Sequence, residues 1–114
     1  MVLTEQSPEV VAFIREALDL SSEAESIDIV DLYDAIRMDL PLRPDIIFKK
    51  YEQLYFVEVK SNVAAIDTIA RMHLLREIWH RQGFDRPPVK MVLAARTIRP
   101  REEQLARELD IQVI

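Results

Sequence analysis

The sequence predicts an α/β domain in which a mixed β-sheet is flanked by helices, in the order α-β-β-β-α-β-α-β. Apolar residues recur at helical spacing near the N-terminus and again after residue 63. Two β-rich runs joined by a short polar turn are typical of a β-hairpin. A nearly continuous apolar run follows the second helix, as expected for a strand covered on both faces. With a length of 114 residues, 49% of them hydrophobic, residues 1–114 are expected to form one domain.

The first helix is predicted over roughly residues 8–20. Ser7 and Pro8 fit its N-cap and first turn, because serine accepts from free backbone N–H groups and proline needs no N–H there. The polar segment Ser21–Ser26 is predicted to be a loop. The segment after it fits both a helical face and strand alternation. We favour a strand at about 34–40, with or without a short helical turn before it.

Pro41 and Pro44 bracket a bend that leads into the hairpin. The two hairpin strands are predicted at Asp45–Lys49 and Leu54–Lys60, which are rich in Ile, Phe, Tyr and Val. These residue types favour a pleated, half-buried surface, as the strands of a hairpin provide.

The second half of the chain alternates helices and strands. A long helix is predicted at about 63–82 and is ended by Gly83. The apolar run Val89–Ala95 is predicted to be a central strand. Pro100 opens a short helix, and Asp110–Ile114 is predicted to be a final short strand. Three antiparallel strands followed by a helical crossover give a mixed sheet.

Three charged residues interrupt the apolar hairpin strands. A turn of two residues (Tyr51–Glu52) or of four gives one register, in which Asp45 lies opposite Glu58. Directly opposed residues share a face of the sheet, with Cβ atoms about 4.5–5.5 Å apart. Lys60 shares that face because it lies two residues beyond Glu58. A turn of three residues would instead place Asp45 and Glu58 on opposite faces.

Two carboxylates so close repel each other. Either one of them takes up a proton at a raised pKa, or a cation lies between them. Mg²⁺ prefers oxygen ligands and often binds one or two carboxylates together with substrate phosphates. A lysine beside such an ion can orient a water or neutralise charge on a phosphoryl oxygen. The pattern therefore favours metal-assisted phosphodiester cleavage. The structural alternative is an exposed cross-strand ion-pair cluster, which contributes roughly 0–1 kcal/mol.

The spacing of these residues is similar to a known signature. PD at 44–45, twelve intervening residues and EVK at 58–60 resemble the motif of the PD-(D/E)XK nuclease superfamily. That superfamily places its motif on a β-hairpin after an N-terminal helix and strand, and before a helix and a buried strand. The resemblance covers nearly the whole chain. It implies a restriction-endonuclease-like core and a Mg²⁺- or Mn²⁺-dependent enzyme that hydrolyses phosphodiester bonds in DNA.

The resemblance also implies roles for single residues. Asp45 and Glu58 would bind the metal, and the carbonyl of Val59 would be a third ligand. Lys60 would position or activate the attacking water.

Many superfamily members add a glutamate from the first helix. Glu9 and Glu16 lie on nearly the same flank of the predicted helix, beside its apolar stripe. Either could approach the metal, and Glu9 in the first turn is preferred. Some relatives also have a glutamine and a tyrosine on the helix that follows the lysine. This chain lacks that pair there, so it departs from those branches.

Charge is segregated along the chain. The formal net charge is −5, residues 1–42 have a net charge of −8, and residues 43–114 have a net charge of +3. The second part can therefore offer a phosphate-binding face despite the acidic total. Basic side chains after position 42 are candidates for contacts with the DNA backbone: Arg43, Lys49, Lys50, Arg71, Arg96 and Arg99. Arg43, Lys49 and Arg96 are the preferred substrate-binding residues.

The remaining features concern partners and location. The chain has no cysteine, no apolar stretch of membrane-spanning length and no signal-peptide pattern at its start, so a cytoplasmic location is expected. The helix at 63–82 is apolar on more than one side, which favours a homodimer, and cleavage of both strands of a duplex needs two sites. The overall acidity favours an alternative: a catalytically inactive, nuclease-like dimeric binding or regulatory module, or a nuclease subunit that requires a partner protein.

Overall fold

The computed structural model describes residues 8–20, 25–26, 44–81 and 89–114. These residues form three helices: α1 (Pro8–Ala17), α2 (Ile66–Arg81) and α3 (Pro100–Glu108). They also form five strands: β1 (Glu25–Ser26), β2 (Ile46–Lys50), β3 (Gln53–Ala64), β4 (Val89–Ile98) and β5 (Ile111–Val113). The predicted α/β class and the order α-β-β-β-α-β-α-β are confirmed. The strand predicted at about 34–40 lies outside the described residues.

The five strands form one mixed sheet in the order β1-β2-β3-β4-β5. The pairs β1–β2 and β2–β3 are antiparallel, and the pairs β3–β4 and β4–β5 are parallel. Each parallel connection contains a helix, α2 or α3, because a parallel pair needs a crossover. No helix within the described ranges is long and apolar enough to cross a bilayer.

The hairpin has the predicted register. Its turn consists of Tyr51 and Glu52, Ile46 pairs with Val57, and Phe48 pairs with Tyr55. The backbone of Tyr51 lies in the left-handed region, at φ 55°, as the first residue of a tight hairpin turn requires.

Several predicted boundaries differ from the structure, and β4, for example, continues to Ile98 rather than ending at Ala95. The loop predicted at Ser21–Ser26 is wrong at its end, because Glu25 and Ser26 pair with the edge of β2. α1 ends at Ala17 rather than near residue 20, because Asp19 adopts a left-handed backbone and the N–H of Leu20 bonds back to Arg15. α2 begins at Ile66 rather than near residue 63, because β3 continues along β4 as far as Ala64.

Both faces of the sheet are covered. α2 and α3 cover one face, whose core includes Leu54, Phe56, Ile69, Trp79, Met91 and Leu93. α1 covers the other face, where the buried residues are Ile14, Leu20, Ile46, Phe48, Val57, Val92 and Ala94. Side chains alternate along β3 and β4 between these two clusters, so the prediction of a central strand covered on both faces is confirmed.

Arg76 of α2 ties that helix to the end of α3. Its guanidinium donates to the carbonyl of Asp110 at 2.9 Å and to the carbonyl of Leu109. Carbonyl groups at a helix C-terminus lack helical partners and carry partial negative charge, so a cation stabilises them. We expect Arg76→Ala to lower the free energy of unfolding by about 1–2 kcal/mol. Arg81→Ala is the matched control in urea unfolding, and equal losses in the two variants would contradict this role.

Candidate active site

Asp45 is fixed by the backbone of the neighbouring strand. It lies directly before β2, after the buried Pro44. Its N–H donates to the carbonyl of Val57 at 3.0 Å, and its Oδ2 accepts from the N–H of Val59 at 2.8 Å. The carboxylate is therefore held across the start of the hairpin, at the end away from the turn.

Glu58 meets Asp45 there, as the predicted register requires. The side chain of Glu58 is buried, and the pairing of Ile46 with Val57 places Asp45 directly opposite Glu58 on the same face of the sheet. Burial, in the first place, and the charge of Asp45, in the second, raise the pKa of Glu58 to about 7.

Two cations act in the opposite direction. Arg71 and Lys60 each oppose the rise in the pKa of Glu58, Arg71 more strongly. The guanidinium Nη2 of Arg71 lies 2.9 Å from Oε1 of Glu58, and the two side chains are 48% and 10% exposed. Lys60 is half-buried, two residues beyond Glu58 on β3. The structure thus brings Asp45, Glu58 and Lys60 together and adds Arg71 to them.

Sequence reasoning gave Arg71 only a role in contacting DNA and missed its ion pair. The signal was present in the helix pattern. Arg71 lies three residues after Thr68 and four before Leu75, and both of these residues are buried. Positions at these spacings lie on one face of a helix, so Arg71 borders the stripe that faces the sheet, beside Glu58.

A β-bulge follows directly after this cluster. Lys60 pairs with Ala95, but the pairing then shifts by one residue before Val63 meets Thr97. A bulge bends its strand and ends regular pairing, and bulges are over-represented next to active sites. Here the bulge is the point at which β3 leaves the cluster and leads to α2.

The glutamates of the first helix do not join the pair. Glu9 and Glu16 are exposed on α1, and α1 packs against the face of the sheet that contains Ile46 and Val57. The side chain of Glu58 points to the other face, because residues alternate along a strand. Within the described ranges, no group of three or more His, Cys, Asp and Glu side chains could hold a metal ion. The expected ligand Glu9 is thus placed apart from Asp45 and Glu58.

The predicted substrate-binding residues are scattered. Arg43 lies outside the described residues. Lys49 pairs with Leu54 beside the turn, four residues and therefore roughly 13 Å along the strand from Asp45. Arg96 is exposed on β4, next to the partner of Lys60. Because Ala95 packs on the α2 side of the sheet, as Glu58 and Lys60 do, the side chain of the next residue, Arg96, starts from the opposite face.

Two further basic residues are engaged elsewhere. The ammonium of Lys50 donates to the carbonyl of Asp19 at 3.2 Å, and Arg99 forms an ion pair with the buried Glu102 at 2.9 Å. Val59 enters the cluster through its N–H, while its side chain packs under α1. Its carbonyl as a metal ligand stays a prediction.

Comparison with known proteins gives no family assignment. The chain matches no family model, no curated protein and no solved structure. The argument for a function therefore rests on the side chains of the site and on the fold that positions them.

Proposed function

We propose that the protein is a Mg²⁺- or Mn²⁺-dependent nuclease of the PD-(D/E)XK type, with a restriction-endonuclease-like core, that hydrolyses phosphodiester bonds in DNA. The observation that carries the proposal is the opposition of Asp45 and Glu58 across the hairpin, with Lys60 two residues beyond Glu58 on the same strand. The element order and the mixed sheet support it, because a hairpin between a first helix and a helical crossover presents this pair where β2 begins, beside the middle of β3.

The donor set fits a hard divalent cation. Asp45 and Glu58 offer oxygen atoms, and the raised pKa of Glu58 reflects buried negative charge that a cation would neutralise. Mg²⁺ needs only one or two carboxylates when waters and substrate phosphates complete its coordination. A bound ion would supply Lewis-acid polarisation of the phosphate and a lower pKa for its bound water. Asp45, Glu58 and, in this proposal, the carbonyl of Val59 would hold it.

The side chains around the metal would have separate roles. Asp45 is oriented by the N–H of Val59, so the carboxylate needs little rearrangement to act as a ligand. Lys60 shares the face of Glu58 on β3 and opposes the rise in its pKa, so its ammonium would hold the attacking water or the charge that develops on the phosphate. Arg96, on the strand beside Lys60, would contact the DNA backbone, as would Arg43 and Lys49 in a wider footprint.

Cleavage assays with defined variants test the proposal. We expect Asp45→Asn and Lys60→Met to lower the rate of Mg²⁺- or Mn²⁺-dependent cleavage of plasmid and oligonucleotide DNA by about 10²–10³-fold, because each removes a charge placed at the reacting phosphate. Lys90→Met is the matched control, since Lys90 lies at the opposite end of β4 over the ring of Tyr55. Circular dichroism verifies folding. Full activity in both site variants would rule out the assigned roles.

One observation favours a second function. Arg71 forms an ion pair with Glu58, as would suit a catalytically inactive, nuclease-like binding module or a nuclease subunit that requires a partner protein. Thermal unfolding with and without Mn²⁺ separates the two classes. An ion that binds only the folded state stabilises it by mass action, by about 2.7 kcal/mol at a hundredfold excess over Kd. A midpoint that does not respond to Mn²⁺ would support the second function.

We further propose a homodimer acting in the cytoplasm. Ile66 and Leu74 of α2 are large apolar side chains that are 45% and 51% exposed, and burial against a second copy would remove them from water. Sedimentation equilibrium of the full chain and of Leu74→Glu tests the dimer. A monomer in both proteins would contradict it.

A further inference from the structure

The acidic pair already has a cation. Arg71 contacts Oε1 of Glu58 at 2.9 Å in a direct hydrogen bond, and its side chain is about half exposed while that of Glu58 is buried. Asp45, on the other side of Glu58, is held by the hairpin backbone. Glu58 is therefore enclosed by the hairpin on one side and by a solvent-accessible guanidinium on the other.

We propose that Arg71 is an exchangeable cation: it occupies Glu58 when the site holds no metal, is released when a divalent cation takes the two carboxylates, and then binds a phosphate oxygen of the substrate. This inference rests on the proposed nuclease function, and it assigns that site a built-in competitor for the metal.

Charge balance indicates why Arg71 must leave. With both carboxyl groups ionised, Asp45 and Glu58 contribute two negative charges, which Lys60 and Arg71 balance. A divalent cation added to this set would leave two surplus positive charges at close range, which is unfavourable in a partly buried site. Arg71 contacts a ligand oxygen directly and is the more exposed of the two cations. Its departure therefore frees that oxygen for the metal and returns the guanidinium to water.

The position of Arg71 on α2 allows this exchange without a change in the fold. Its backbone is fixed because Thr68 and Met72 anchor the same helix in the core. Only its long side chain has to move, and such side chains can pack their stems while their charged ends reach into water. A guanidinium presents a planar fork of N–H groups that matches phosphate oxygens. Once released, it would lie within one side-chain length of the ligand carboxylates.

Mn²⁺ titration by calorimetry is the test. We expect Arg71→Gln to bind Mn²⁺ about tenfold more tightly than the unmodified protein, because the competing charge is gone. Arg81→Gln makes the same change in net charge on the same helix, at a side chain that is 82% exposed and paired with Glu77. Its affinity for Mn²⁺ should stay within about twofold, since distant exposed charges are screened. Arg71→Lys keeps the charge and should resemble the unmodified protein.

Binding of a fluorescent single-stranded oligonucleotide, with Ca²⁺ in place of Mn²⁺, provides the second readout. We expect Arg71→Gln to lose about tenfold in affinity for the oligonucleotide, so that one substitution strengthens metal binding and weakens DNA binding. A purely structural ion pair would not separate the two affinities in this way.

The outcomes distinguish this inference from the function on which it rests. Unchanged Mn²⁺ affinity in Arg71→Gln, in a protein that does bind Mn²⁺ through Asp45, would overturn the exchange and leave the nuclease proposal intact. Tighter Mn²⁺ binding with unchanged oligonucleotide affinity would overturn the phosphate role. An absence of Mn²⁺ binding in both the unmodified protein and Arg71→Gln would remove the proposed function itself.

Discussion

Replacement of Glu58 by glutamine is expected to stabilise the protein at pH 8 and to abolish metal-dependent activity. Glutamine has the shape of the protonated glutamate, its amide group can donate to Asp45, and its carbonyl can accept from Arg71. It therefore keeps the contact with Arg71 that the structure shows without burying a charge. The same substitution removes the charge of a proposed metal ligand, so stability and function should change in opposite directions. Such opposition is common where active-site residues destabilise the folded state.

The expected gain depends on pH in a defined way. The pKa of Glu58 is raised from 4.5 to about 7 in the folded protein, so the folded state binds its proton more tightly than the unfolded chain. The contribution of this group to stability is thus complete below pH 4.5 and is lost as the pH rises through about 7. Because one pKa unit corresponds to about 1.4 kcal/mol, the difference between Glu58→Gln and the unmodified protein should widen by about 3 kcal/mol in favour of the variant.

Urea unfolding of both proteins at pH 5, 6, 7 and 8 measures this difference. Other carboxyl groups titrate in both proteins and cancel from it. A difference in unfolding free energy that stays constant across this pH range would show that burial and Asp45 do not raise the pKa of Glu58 in the folded protein.

Truncation of Trp79 is expected to cause a large loss of stability. Trp79 of α2 is completely buried, and its ring meets that of Phe56 on β3 edge to face, with the centroids 5.3 Å apart. Trp79→Ala removes this contact and leaves a cavity between the helix and β3, at a cost of about 3–5 kcal/mol. Since small domains are stable by only about 5–15 kcal/mol in total, the variant should be close to unfolding.

Denaturant titration followed by circular dichroism measures the loss, because fluorescence disappears with the tryptophan. Phe13→Ala on α1 is the control, since the aromatic ring of Phe13 is 56% exposed and its truncation should cost less than about 1 kcal/mol. Comparable losses in the two variants would contradict the central place of Trp79 in the core.

The parts of the fold that the sequence predicted are those that local pattern determines. The hairpin register follows from the two-residue turn and from the alternation on both sides of it, and with the register comes the meeting of Asp45 and Glu58. The position of Lys60 on the same face follows from the strand period alone. None of these features depends on residues far along the chain.

The parts that were missed depend on distant partners. β3 extends to Ala64 because β4 offers a strand edge to pair with. Glu25 and Ser26 form a strand because they pair with the edge of β2. The separation of Glu9 from the carboxylates follows from the face of the sheet that α1 covers. The local pattern fixes which side of a helix is apolar, but the three-dimensional packing decides which face of the sheet that side meets.

The tight turn at Tyr51 and Glu52 restricts the insertions and deletions that this protein can accept during evolution. Exposed loop tips usually accept insertions and deletions without harm. Here a single inserted or deleted residue would shift the register of one hairpin strand by one residue and turn its side chains to the opposite face of the sheet. Asp45 and Glu58 would then be separated although neither had been replaced. The length of this exposed turn is therefore as constrained as the identity of Asp45 and Glu58 at the other end of the hairpin.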